Sequence, residues 1–146
     1  MTNTDYNGYS VNLTFGFMPN GVHAFSNNTL LIYGHYGAEP SILYSADQGL
    51  HWKLVFHQPL SPDLDIENTF FDMKFWDNLN GVAINQKYLI QTYDGGQTWD
   101  ISEQIPINAD TKFSKLSLIN GGVGYATAGN KIFKAVDFGG WSPLNN

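Results

Sequence analysis

A chain of 146 residues with 42% apolar and 15% aromatic content is long enough for one domain with a sizeable core and too apolar to be disordered. Thirteen acids against seven bases give a net charge of -6, and the bases are scattered lysines with no arginine among them. That excludes a nucleic-acid surface, a polybasic membrane patch and any bidentate arginine clamp for phosphate or carboxylate, while the absence of Cys removes disulfides, thiolate nucleophiles and Cys-ligated zinc.

In chain order, the first predicted element is a strand over residues 9–17, where Tyr9, Val11, Leu13, Phe15 and Phe17 alternate with Ser10, Asn12, Thr14 and Gly16. The start "MTNTDYNGYS" has no basic segment followed by an apolar one, and no apolar run is long enough to span a membrane. An extracellular or periplasmic location is expected, with any export signal already removed. Short apolar runs follow: "VHAF", "TLLIYG", "SILYS", "WKLVF", "FFDMKFW", "GVAIN", "YLIQT", "FSKLSLI", "GVGYATA" and "KIFKAV", each bounded by Gly, Asn, Asp or Pro. Apolar residues nowhere hold a helical spacing for three turns, so the chain is predicted to be all-β.

The runs repeat. "LYSADQGLHWKLV" at residues 43–55 returns as "IQTYDGGQTWDIS" at residues 90–102, and Asp47, Asp94 and Asp137 stand 47 and 43 residues apart. Between them, strand, Asn-Gly turn (Asn80-Gly81, Asn120-Gly121), strand, polar turn (Asn85 or Asn130), strand, then Asp, Gly and Trp recur in the same order. Four short strands per unit of some forty residues are the signature of β-propeller blades, expected at approximately 18–60, 68–104 and 111–146 after the leading strand 9–17.

Ser45, Asp47, Gly49 and Trp52, then Thr92, Asp94, Gly96, Thr98 and Trp99, resemble the Asp-box, or bacterial neuraminidase repeat, Ser/Thr-x-Asp-x-Gly-x-Thr-Trp. His51 replaces the Thr of the first copy; the third, Ala135, Asp137, Gly139 and Trp141, lacks the hydroxyl and one residue before the Trp. A carboxylate, a hydroxyl and a Gly suit a turn whose amides need acceptors, and the Trp can cover the hairpin. The resemblance implies structural turns on the outside of a propeller, away from any ligand. It also invites the sialidase activity of some such proteins, which the lack of arginine excludes. Members of the family that bind a protein or a glycan imply a non-catalytic binding or scaffolding module here.

Three blades would leave open edges, so a homo-oligomer closing the propeller is expected, or a partner chain supplying further blades. Tyr33, His35 and Tyr36 in a Gly-flanked segment, with Trp76, are aromatics outside the repeated phrase and the candidate ligand-binding residues for protein or sugar. Asp63, Asp65 and Glu67 alternate in "SPDLDIENTF" and are the acids that a glycoside hydrolase, the alternative reading, or a calcium ion could use. They lack the central Gly of a calcium loop, and the four histidines show no metal spacing. Neither a cofactor, a bound metal nor a catalytic residue is expected.

Overall fold

The computed structural model describes residues 3–6, 9–12, 17–37, 39–58, 69–105 and 111–144. The chain divides into two compact units, Met1–Phe71 and Asp72–Asn146, and all regular elements among the described residues are strands. Three four-stranded antiparallel sheets, each a meander in which consecutive strands pair, are the blades of a β-propeller-type fold. No helix is long and apolar enough to cross a membrane among the described residues.

In the first unit, β1 (Asn3–Tyr6) and β2 (Tyr9–Asn12) form a hairpin. The blade follows as β3 (Phe17–Ala24), β4 (Leu30–Tyr36), β5 (Glu39–Ser45) and β6 (Lys53–His57), with β1 lying beside β6 without joining its sheet. The leading strand expected over residues 9–17 is thus corrected. Residues 9–12 belong to the hairpin, residues 13–16 lie outside the described residues, and Phe17 opens the blade. "PNG" at residues 19–21 forms a bulge inside β3, where the register with β4 shifts between Pro19 and Gly21. Pro19 has no N–H for the carbonyl of its partner Gly34, and the amide of Phe70 bonds that carbonyl at 3.2 Å. The Asn20 side chain in turn donates to the Phe70 carbonyl at 3.0 Å. Phe70, so held, is fully buried with its ring edge-on to Phe56 at 5.5 Å. On the sheet's other face Leu43 and Leu54 form a core joined by Phe17, Ile32 and Trp52.

The second unit holds two blades. The first is β7 (Asp72–Phe75), β8 (Gly81–Ile84), β9 (Tyr88–Thr92) and β10 (Asp100–Gln104); the second is β11 (Phe113–Ile119), β12 (Val123–Ala128), β13 (Lys131–Val136) and β14 (Gly139–Pro143). Strands β8 and β9 are buried on both faces, the pattern of sheets covered on two sides. Asn85 closes the turn between them: its Oδ1 accepts the amides of Lys87 and Tyr88 at 2.9 and 2.6 Å.

One backbone bond recurs in every blade. The turn after the third strand donates an N–H to a carbonyl in the turn after the first: Gln48 to Asn28 at 3.0 Å, Gly95 to Leu79 at 3.0 Å, and Phe138 to Gly122 at 2.9 Å. This bond ties the two neighbouring loops of each blade together, so the repeat seen in the sequence is also a repeat of hydrogen bonding.

Candidate functional site

The two well-kept phrases fold into the same turn. Ser45 Oγ accepts the Gly49 amide at 2.8 Å and donates to Asp47 Oδ1 at 2.9 Å, while that oxygen accepts the His51 amide at 2.9 Å. Thr92 and Asp94 repeat this with Gly96 at 2.9 Å, with each other at 2.8 Å, and with the Thr98 amide at 2.9 Å. Gly49 and Gly96 take φ of 90° and 95°, a left-handed conformation that Gly adopts without strain. His51 takes over from Thr98: its Nδ1 lies 2.6 Å from Asp47 Oδ2, as the Thr98 hydroxyl lies 2.6 Å from Asp94 Oδ2. Hydrogen bonds from the His51 side chain and amide hold the Asp47 carboxyl down to about 2. At Asp94 burial pushes upward, but the hydroxyl and amide of Thr98 outweigh it and the net shift is also downward. Trp99 closes its own turn by donating its indole N–H to the Gly96 carbonyl at 2.9 Å. Every oxygen of these carboxylates that the turn needs is engaged internally, so their chemistry is that of a clasp.

The third phrase is built differently, a correction to its reading as an equivalent turn. One residue fewer makes β13 and β14 a two-residue hairpin, in which Val136 pairs with Gly139 and both Asp137 and Phe138 have positive φ, 51° and 66°. Asp137 is exposed, Gly139 lies within β14, and Trp141 sits inside that strand instead of before it. Trp141 donates its indole N–H to Gln91 Oε1 at 3.1 Å, and Gln91 Nε2 bonds the Phe138 carbonyl. Phe138 stands edge-on to Trp76 at 5.6 Å. The third phrase therefore grips the neighbouring blade within its unit.

Trp76 belongs to that seam. Its indole N–H donates to the Val123 carbonyl at 2.9 Å, and its ring lies 6.4 Å from that of Trp141. Tyr33 and His35 share one face of β4, two residues apart, and Tyr36 points to the opposite face across from Phe17. The Tyr33 ring lies over Gly21 so closely that a β-carbon there would fall 2.2 Å from Tyr33 Oη. His35 Nδ1 is 2.8 Å from Thr69 Oγ1, which also accepts the Asn20 amide at 2.7 Å. The Thr69 hydroxyl has one hydrogen to give, and when it donates that hydrogen to Nδ1 the ring carries its own proton on Nε2. Beside this patch β3 forms the edge of its sheet, with Met18 58% and Val22 63% exposed. The arrangement offers an aromatic face, an imidazole N–H, exposed apolar side chains and a strand edge.

Asn20 and Thr69 were not singled out from the sequence, since a loop Asn and Thr carry no periodic signal. Gln91 could have been found as the polar residue in the otherwise apolar run "YLIQT". Asp63, Asp65 and Glu67 lie outside the described residues. Glu103 is the carboxyl that burial pushes up among the described residues, and no group of three or more His, Asp or Glu among them is placed to hold a metal.

Meandering four-stranded blades with clasped turns and a strand-edge patch define the chain as a β-propeller-type protein. No family model matches it, and no curated protein does. Among solved structures it is similar to YCF48, itself a β-propeller, bound to D1 peptide: 20% identity, TM-score 0.54, covering 82% of this chain and 37% of that one. It is also similar to YCF48 from Cyanidioschyzon merolae, at 21% identity and a TM-score of 0.49, over 82% of this chain and 38% of that one. This chain thus spans well under half the length of the solved chains it matches.

Proposed function

We propose that the chain is a non-catalytic binding module of Asp-box type, and that it takes an extended segment of a partner protein along β3, over Tyr33 and His35. The observation that carries this reading is the β3 edge itself. A bulged edge strand leaves backbone donors and acceptors for an added strand, a recurrent mode of peptide recognition. Tyr33 offers a flat apolar surface, His35 Nε2 a donor for a carbonyl or carboxylate, and Met18, which pairs with His35 across the strands, an exposed apolar contact on the same face. The solved YCF48 chain bound to D1 peptide supports a peptide as ligand, at the level of a shared fold.

The turns around Asp47 and Asp94 serve this site indirectly, by fixing the ends of the strands. Tyr36 and Trp76, the other candidates read from the sequence, do not join it: Tyr36 occupies the opposite face of β4 and Trp76 is committed to the seam of the second unit. Selection from a random-peptide display library against the folded chain supplies ligands for the test. Tyr33→Ala and His35→Ala should each weaken the selected peptides about tenfold or more, as loss of an aromatic anchor or a buried hydrogen bond does. Asp94→Asn should leave binding by the folded fraction unchanged. Failure to select any peptide, together with retention on a glycan array that Tyr33→Ala abolishes, would replace the protein ligand by a sugar.

A further inference from the structure

Register equates the blades of the second unit position by position. Phe75 and Gly81 pair as Leu118 and Gly124 do, Val82 and Gln91 as Tyr125 and Lys134, and Ile84 and Leu89 as Thr127 and Ile132. Val82, Ile84, Leu89 and Gln91 are fully buried, and Gln91 reaches across to Phe138 and Trp141 of the next blade. The equivalent face of the last blade has Ile119 and Val136 each 52% exposed and Ile132 40% exposed, with Lys134 lying 5.8 Å over the Tyr125 ring. This face repeats a blade-to-blade interface already present one step earlier, so its natural complement is another blade.

Within this sequence one blade offers such a complement. By the same register Ser45 stands where Thr92 and Ala135 do, so Val22 and Ile32 lie on the first-blade face that corresponds to Leu116 and Ala126 at the seam, with Leu43, the counterpart of Phe133, buried beneath them. Val22 is 63% exposed, and Ile32 and Trp52 are half-buried, packed against the buried Leu43 and Leu54 and leaving their outer surface on this face. We infer that the open face of the last blade, carrying Tyr125, Ile132, Lys134 and Val136, binds a second copy of this chain, head to tail, on the first-blade face of Val22, Ile32 and Trp52. Charge complementarity supports the choice. Lys134 holds the position from which Gln91 reaches its neighbour's turn and Trp, and in a second copy those are the Asp47 turn and Trp52. Asp47 stays ionised at neutral pH, so Lys134 meets an anion where Gln91 meets a carbonyl.

The test is the solution mass of the full chain by sedimentation velocity over a dilution series. The wild type should associate reversibly, and Val136→Asp and Val22→Asp should each raise the dissociation constant more than about tenfold, a charge in an apolar interface being costly. Lys134→Glu, at an already polar position, should do the same most strongly at low salt and keeps the test open if Val136→Asp fails to fold. Mixing Val136→Asp with Val22→Asp chains should restore a dimer, because a head-to-tail pair then keeps one intact interface. A wild type monomeric at every concentration, self-association that survives all three substitutions, or no recovery on mixing would overturn the inference.

Discussion

Asp47 and Asp94 occupy the same place in equivalent turns, and the comparison with Asp137 isolates what that place requires. Asp94 accepts hydrogen bonds from the Thr92 hydroxyl and from both the amide and hydroxyl of Thr98, whereas Asp137 occupies a left-handed hairpin position that Asn tolerates equally. Asp94→Asn should therefore cost about 1–3 kcal/mol of unfolding free energy, and Asp137→Asn should stay within about 0.5 kcal/mol, as measured by chemical denaturation. The turns also predict a pH dependence. Asp47 is held near 2 in the folded chain against about 3.9 unfolded, so the folded state binds fewer protons than the unfolded one in that range. Its contribution is complete above about pH 4 and is lost as pH falls toward about 2, with Asp94 acting in the same direction. The midpoint of thermal unfolding should fall over that window, and less steeply in Asp94→Asn. His51→Thr should leave the Asp47 titration low, because Thr98 performs the same task in the second turn; NMR titration of the carboxyl carbon reads it directly.

At the scale of the element, the bulge in β3 shows how a residue that looks like punctuation becomes a structural device. "PNG" carries every signal of a turn, yet Pro19 removes one ladder bond, the Phe70 amide supplies it, and Asn20 fastens the same residue by its carbonyl. Local chemistry cannot distinguish a turn from a bulge whose missing partner arrives fifty residues later. Asn20→Ala should cost about 1 kcal/mol and raise amide exchange at Phe70, while Phe70→Ala, emptying a fully buried site, should cost about 3–5 kcal/mol. The third turn departs from the other two for a related reason. Its Asp, Gly and Trp suggested a third copy, but the one-residue deletion converts a clasped turn into a two-residue hairpin and carries Trp141 into β14. Spacing outranked residue identity there.

Across the whole molecule, the all-β class and the blade repeat were legible because period-two alternation and the recurring phrase are local signals that survive in one sequence. Of the candidate site, Tyr33 and His35 were legible as unassigned aromatics on a Gly-flanked strand, but their company was not. Thr69 and Asn20 join His35 only through pairing across 34 and 49 positions, and Trp76 is parted from them because its indole meets Val123. The proposed division of labour puts ligand recognition on the β3–β4 edge and leaves the Asp turns to hold the scaffold. The most direct measurement is the amide spectrum of the 15N-labelled chain titrated with a peptide selected against it. Shifts should concentrate at Gly21, Tyr33 and His35, with the turns at residues 45–52 and 92–99 unmoved; shifts concentrated in those turns, with β3 and β4 silent, would overturn the proposal.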